Sequence, residues 1–388
     1  MKISIAQYSS NLSGSGVGCQ MIANAFVANG WDVDVTFAFD GPFVRQLADA
    51  NFPVHVVPHR NWLRTSGVLR FLHNIYSETQ ASRAFLSYYR DKRPDLVYVN
   101  TLVSFAAARA ARQAGIPVIW HIREMFAEEN GELRWPAGWM KSVVRSIIQR
   151  SAARVIVNSC ICRDTVLGAD AGNTIILPNA VGRQFLVTRR PSVECRRMFG
   201  LPEAGFIIGV PGTIRPVKGH RFLFRSVERL LDDNPMVHIA VTGPTESKFA
   251  RELIQEVQSG PAGGRVFFLG SVEDMVSFYH TCDLCCIPSE SETFGRTAVE
   301  ALATETPLVA TAVGGLKEIV RHEQNGLSVA SGDIHALSTS LERLSKDRQL
   351  CGRFTRAGRK DAVEKFSEDA YAKVLSKYVE LTINESRT

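Results

Sequence analysis

Short apolar runs rich in β-branched residues alternate with segments of helical spacing along this chain, and midway the alternation starts again. In the first half the strand candidates are KISIAQYS, DVDVTFAF, DLVYVN, PVIWHI and ARVIVNS. Helical segments lie between them, among them CQMIANAFVANGW and SFAAARAARQAG, each ending near a glycine. Parallel strands need a long crossover, usually a helix, so this alternation predicts a parallel sheet covered on both faces. The second half repeats it, with strands GFIIGVPG, VHIAVTG, VFFLG, LCCIPS, PLVAT and NGLSVA. Its helices include HRFLFRSVERLLDD, RELIQEVQSG, MVSFYHTC and RTAVEALATET. The expected fold class is therefore α/β, with two doubly wound parallel-sheet domains facing across a cleft. A length of 388 residues suits two such domains. The junction falls near 180–200, where PNAVGRQFLVTRRPSVE carries turn residues and a charge run. The expected domains are 1–185 and 200–366, with 367–388 as a closing helix.

Bulk properties remove several function classes. Apolar residues make up 45% and charged residues 22%, as in globular proteins with full cores. No apolar run reaches the roughly 20 residues that span a bilayer. The opening MKISIAQYSS reads as a first strand, not a secretion signal, so the expected compartment is the cytoplasm. Eight cysteines include Cys160, Cys162, Cys282, Cys285 and Cys286, without a second pair at zinc-ligand spacing; buried reduced thiols in strands are expected. Residues 1–180 hold 18 Lys/Arg against 13 Asp/Glu, whereas 181–388 hold 27 against 26. That basic bias suits an anionic partner, but no nucleic-acid motif accompanies it, so no nucleic-acid partner is expected.

The stretch SESETFGRTAVEALATETP places Glu292 and Glu300 eight residues apart. On one helix they would stand about 80° apart and about 12 Å along the axis. Paired carboxyls that cleave a glycosidic bond stand about 5–9.5 Å apart, so an acid/base couple fits poorly. The stretch follows a strand, which puts Glu292 in a loop and Glu300 inside the next helix. The first N–H groups of that helix, by Phe294 and Gly295, attract an anion. Two hydroxyl-binding carboxylates around a diphosphate fit this spacing; a cap at Glu292 and a surface ion pair at Glu300 fit it equally well.

Three further stretches are candidates. In GVPGTIRPVKGH a strand ends at Gly212 and a loop delivers Arg215 and Lys218, two cations able to clamp a diphosphate, or a plain solvated loop. SSNLSGSGVGCQ places glycines at 14, 16 and 18 between strand and helix. The dinucleotide fingerprint fails by one place, at Cys19, and leaves a loop that lets backbone approach a ligand or simply turns. PVIWHIREMF brings His121 to a strand end, as a ligand-facing or a structural histidine.

With these stretches in hand, the chain resembles the family-four retaining glycosyltransferases of GT-B architecture, two Rossmann-like domains across a cleft. PSESETFGRTAVEALATETPLVATAVGGLKEIV carries the family's E-x7-E signature and trailing glycine pair. GTIRPVKGH, VFFLGSV, CDLCCIPS and NGLSV stand in the expected order around it. The resemblance implies that Glu292 touches the donor sugar beside the Phe294 and Gly295 backbone, and that Glu300 holds the ribose. Arg215 and Lys218 would clamp the diphosphate, with Gly212 and Arg296 beside it. Val272 would lie by the base, Gly16 by the phosphate and acceptor, and His121 by the reacting carbon. An N-terminal acceptor domain, a C-terminal nucleotide-sugar domain and a last helix returning to the first follow from it. Three positions depart from the family: Thr213 where the clamp arginine is commonest, Glu305 before Thr306 where glycine is usual, and Ser15 in place of a first glycine.

The implied reaction carries a sugar from a UDP- or GDP-sugar to an acceptor hydroxyl with retention, in cell-surface polysaccharide or glycolipid synthesis. No D-x-D motif is evident at a strand end, so no obligatory metal or other cofactor is expected. HRNWLRTSGVLRFLHN and WPAGWMKSVVRSIIQR mix arginine with large apolar residues at helical spacing. They suit either peripheral contact with an anionic membrane and a sugar or lipid-linked acceptor, or packing on the chain's own core. A nucleotide-sugar epimerase of the same architecture and a non-catalytic two-lobed sugar-binding protein are the alternatives.

Overall fold

The computed structural model describes every residue except 12–13, 64–66, 127–137, 170, 173 and 388. Parts of the two arginine-rich amphipathic stretches, 64–66 and 135–137, therefore lie outside the described residues. The chain forms two compact units, Met1–Ala180 with Glu368–Thr388, and Val181–Ser367.

The first unit is built on a seven-stranded sheet. Its strands are β1 (Lys2–Gln7), β2 (Asp32–Phe37), β3 (Val54–Val56), β4 (Leu96–Asn100), β5 (Val118–Ile122), β6 (Arg154–Val157) and β7 (Thr174–Ile176). They lie in the order β3-β2-β1-β4-β5-β6-β7, all pairs parallel. The second unit holds β8 (Phe206–Val210), β9 (Val237–Val241), β10 (Val266–Phe268), β11 (Leu284–Ile287), β12 (Leu308–Thr311) and β13 (Leu327–Val329). Their order, β10-β9-β8-β11-β12-β13, repeats the first six places of the other sheet. The central strands β4, β5 and β11 are buried at every position, as expected where helices cover both faces. The sequence pattern misses β3 and β7. Each has three residues at a sheet edge, none of them buried, unlike the equally short edge strands β10 and β13.

Residues 181–199 pack with the second unit. The Val181 N–H donates to the Phe366 carbonyl at 2.8 Å, and Phe185 joins the core with Tyr279 and Leu302. Arg189 donates to the carbonyls of Thr304, Glu305 and Cys282 at 3.2, 3.1 and 2.7 Å, which ties this segment to the ends of two elements. The last helix, Glu368–Arg387, belongs to the first unit. Tyr371, Leu375, Val379 and Ile383, one per turn, bury against a core containing Ile3, Ile5 and Phe26.

The amphipathic stretches are core helices in part. Val68–Lys92 buries Phe71 and Phe85 yet exposes Leu69, Leu72 and Tyr76. Trp139–Ser151 buries Met140, Val144 and Ile148 and exposes Trp139. Among the described residues no helix is long and apolar enough to cross a membrane. All eight cysteines are free, but only Cys285 and Cys286 lie in a strand; Cys160 and Cys162 sit on the helix Cys160–Val166 instead.

Glu305, where the family usually has glycine, follows the helix Arg296–Ala303 and its cap Thr304 with φ 55°. A side chain in the left-handed region crowds its own carbonyl, and glycine is the usual residue there. The Glu305 carboxylate recovers little, since its nearest cation is Arg359 at 3.9 Å. Glu305→Gly is expected to stabilise the second unit by about 0.5–1 kcal/mol, read as a rise of roughly 1–3 °C in its thermal midpoint.

Candidate functional site

In each sheet two neighbouring strands send the chain off in opposite directions: β1 and β4 in the first, β8 and β11 in the second. Open parallel sheets bind ligands beyond the carboxyl ends of the strands at such points. Most candidates of the second unit, and Gly16 in the first, lie there.

In the second unit the loops after β8 and β11 meet. The Glu290 N–H donates to the Val217 carbonyl at 2.8 Å. Lys218 ends the single turn Pro216–Lys218, and its Nζ lies 2.5 Å from Glu292 Oε2, with side-chain exposures of 27% and 16%. Arg215 is half-buried at the start of that turn. Gly212 stands in the same loop, its N–H donating to Thr242 Oγ1 at 3.1 Å. The loop after β12 closes the other side: the Gly315 N–H donates to the Glu292 carbonyl at 2.9 Å. Two glycines allow the loops to come this close. A Cβ on Gly219 would lie 1.9 Å from the Pro288 carbonyl oxygen, and one on Gly314 1.8 Å from that of Glu292. Both residues also have positive φ, 70° and 46°.

Gly295 and Arg296 then open the helix Arg296–Ala303, which carries no side-chain cap. Phe294 is buried edge-on to Phe366, with ring centroids 6.2 Å apart. The helix places Glu300 inward, 9% exposed, with Oε2 accepting the Tyr279 hydroxyl at 2.9 Å. Burial pushes the Glu300 carboxyl up to about 7, against the opposing pull of Arg296 and of the Tyr279 hydrogen bond. A cap at Glu292 and a surface ion pair at Glu300 are thus both excluded: Glu292 pairs with Lys218, and Glu300 is buried. Val272 is half-buried in the loop after β10, at the edge of this sheet.

In the first unit the glycine run is not a loop. Gly14, Gly16 and Gly18 lie within the first turns of the helix Gly14–Ala28, because the strand turns into the helix earlier than the apolar pattern, which starts at Cys19, suggests. Gly16 is buried, and a Cβ there would lie 2.9 Å from the Asn11 carbonyl oxygen.

His121 lies inside β5, fully buried, and shares a 2.6 Å hydrogen bond with the Tyr98 hydroxyl through Nδ1. Its Nε2 has no partner among the described residues. Burial, then the nearby Arg123 cation, holds its pKa well below the usual histidine range, so the ring is neutral at pH 7. The side chain at the strand's end is Arg123. Its Nε donates to Asn100 Oδ1 at 2.9 Å, and its two terminal nitrogens donate to Asn179 Oδ1 and to the Tyr371 hydroxyl, the latter at 3.2 Å. Asn100 donates in turn to Gln7 Oε1 at 2.7 Å, and Asn158 to the Arg123 carbonyl at 3.3 Å. A row of polar side chains thus follows the carboxyl ends of β1, β4, β5, β6 and β7, and the Arg123 backbone N–H donates to Glu124 Oε2 at 3.1 Å. The signal was present in the sequence: DLVYVN, RVIVN and IILPN each close an apolar run on asparagine.

Two family models match the chain: "Glycosyl transferase 4-like domain" over residues 13–180 and "Glycosyl transferases group 1" over residues 194–361. The D-inositol 3-phosphate glycosyltransferase of Salinispora tropica is 34% identical over 208 residues, 51% of this chain and 43% of that protein. The lipopolysaccharide core biosynthesis mannosyltransferase LpsB of Rhizobium meliloti is 31% identical over 54% of this chain and 59% of its own. The matched segment thus spans about half the length of these relatives. The crystal structure of Anabaena HepE in complex with UDP and glucose shares the fold, with a TM-score of 0.81 at 23% identity over 98% of this chain and 99% of that one. The epimerase alternative gains no support from these relatives. With a matching model on each sheet unit, the chain belongs to the GT-B glycosyltransferases of the family-four type.

Proposed function

We propose that this chain transfers a sugar from a nucleotide diphosphate sugar to an acceptor hydroxyl with the anomeric configuration kept, in the synthesis of a cell-surface glycan or glycolipid. The observation that carries the reading is the Lys218–Glu292 pair, held by three loops at the carboxyl edge of the second unit beside an uncapped helix N-terminus. A cation, a carboxylate and the N–H groups of a helix start are what the two halves of a nucleotide sugar require. The diphosphate needs positive charge and N–H donors; the sugar and ribose need hydroxyl acceptors. Glu292 takes the donor sugar, Glu300 the ribose, Arg215 and Lys218 the diphosphate, with Gly212, Arg296 and the Phe294–Gly295 backbone beside it. Val272 lies toward the base. The HepE complex with UDP and glucose supports a donor of this class, and the two relatives support glycosyl transfer.

Neither carboxylate is placed as a nucleophile. Glu292 is engaged by Lys218 and Glu300 by Tyr279. Attack on the same face through an oxocarbenium-like state accounts for retention. The leaving diphosphate, held by Arg215, Lys218 and the helix, takes the acceptor's proton. The first unit serves the acceptor, with Gly16 at its helix start and the polar row around Arg123.

The test is incubation with a panel of UDP- and GDP-sugars and candidate sugar, polyol and lipid-linked acceptors, in excess chelator, followed by NMR of the product's anomeric proton. A glycoside with the donor's configuration is the expected product. An inverted product, or an isomerised donor formed without acceptor, overturns the assignment.

A further inference from the structure

We propose that Tyr279 is a positioning residue for nucleotide binding: its hydroxyl holds the Glu300 carboxylate in the orientation that receives the ribose hydroxyls. This rests on the reading of Glu300 as the ribose ligand. Tyr279 lies on the helix Met275–Thr281, fully buried, with Phe278 and Phe185 edge-on at 5.7 and 6.1 Å. Its own carbonyl accepts the Thr306 hydroxyl at 3.2 Å. The phenol therefore has little freedom to turn. Two acceptors lie within reach of its hydroxyl, Glu300 Oε2 at 2.9 Å and the Thr297 carbonyl at 3.2 Å. The single phenolic proton goes to the shorter, charged acceptor. Glu300 Oε1 is bonded to no described group, which leaves its lone pairs for a ligand.

The same contact also favours the charged form of Glu300. Burial is the main influence and pushes the carboxyl up to about 7; Arg296, on the same helix, and the Tyr279 hydroxyl, from the neighbouring one, act the other way. Cys285 of β11 lies nearby, but burial keeps its thiol neutral. The helix Arg348–Phe366 also packs here, and it directs Arg359 to the carbonyls of Phe185, Leu186 and Ala303 instead. Above about 7 the carboxylate accepts from ribose hydroxyls; below it the proton occupies a lone pair, and nucleotide affinity falls. His220 and His280 are brought down to about 4, chiefly by burial, and stay neutral across that window.

Tyr279→Phe keeps the ring and its packing but removes a hydrogen bond that favours the charged form. Binding of UDP-glucose and of GDP-mannose is measured calorimetrically between about pH 5.5 and 9. A nucleotide sugar carries no phosphate proton that titrates near neutrality, so the midpoint reports the protein. Whichever donor binds, the wild-type affinity is expected to fall as pH drops through about 7. In the variant the midpoint moves up by about one unit, with roughly tenfold weaker binding at pH 7 that recovers at about pH 9. An unmoved midpoint, or a uniform loss of affinity at every pH, overturns the proposal, because a merely structural tyrosine acts in those ways. Should the variant fold poorly, 3-fluorotyrosine at 279 retains the hydroxyl with a more acidic proton and is expected to move the midpoint down. Glu300→Gln separates the two readings: wild-type affinity in that variant removes the ribose assignment itself.

Discussion

Lys218→Ala is expected to lower turnover by about 10²–10³-fold. The ammonium is held in place before any ligand arrives, by Glu292 at 2.5 Å and by a single turn whose Lys218 N–H donates to the Arg215 carbonyl at 3.0 Å. Charge placed in advance where a diphosphate departs needs no reorganisation at the moment of bond cleavage, which is why its loss is felt in kcat more than in affinity. Stability is expected to change by less than about 1 kcal/mol, because the pair remains partly open to water. Steady-state kinetics beside a thermal melt separates the two effects. Turnover close to wild type in a folded Lys218→Ala protein contradicts the clamp.

The second large effect is structural. Gly314→Ala places a Cβ 1.8 Å from the Glu292 carbonyl oxygen, at a residue with φ 46°. Backbone faces backbone here, so no flexible side chain can yield. The loop after β12 must withdraw, and the 2.9 Å bond from the Gly315 N–H to Glu292 breaks with it. A loss of roughly 2–4 kcal/mol from the second unit is expected, together with at least a tenfold fall in turnover as Glu292 shifts. Denaturation melts and kinetics of the one variant check both. A wild-type melt argues that the loop moves freely and that Glu292 is not held by it.

Much of the fold was legible because its determinants are local. The long central strands β1, β2, β4, β5 and β8 each carry enough apolar residues to stand out, and the helices between them dictate parallel pairing. The edge strands β3 and β7 escaped notice because none of their three residues is buried, whereas β10 and β13, equally short, each carry a buried apolar residue. The glycines at 14, 16 and 18 suggested a loop because glycine disfavours helix, yet they fall in the first turns of Gly14–Ala28, where a Cβ on Gly16 would meet the Asn11 carbonyl and one on Gly18 the Arg123 guanidinium. Spacing and type made Glu292, Glu300 and Lys218 candidates, and the structure sets Lys218 against Glu292. His121 was singled out from its strand end and the family resemblance; only β5 shows that the imidazole is buried within the strand and that the guanidinium of Arg123 stands at its end.

The sequence by itself determined two doubly wound parallel sheets, the loops that leave their strands, and the charges those loops carry. It could do so because β-branched runs, helical periods and turn residues act over a few neighbours. The tertiary structure decided which charges meet. Lys218 and Glu292 are 74 residues apart and Tyr279 and Glu300 are 21 apart. Such contacts depend on strand order: β8 lies next to β11, which is what sets the Lys218 ammonium against the Glu292 carboxylate. Burial is decided at the same level, and it gives two glutamates eight residues apart different states. One is paired with a lysine; the other is enclosed, tied to a phenol and raised toward neutral pH.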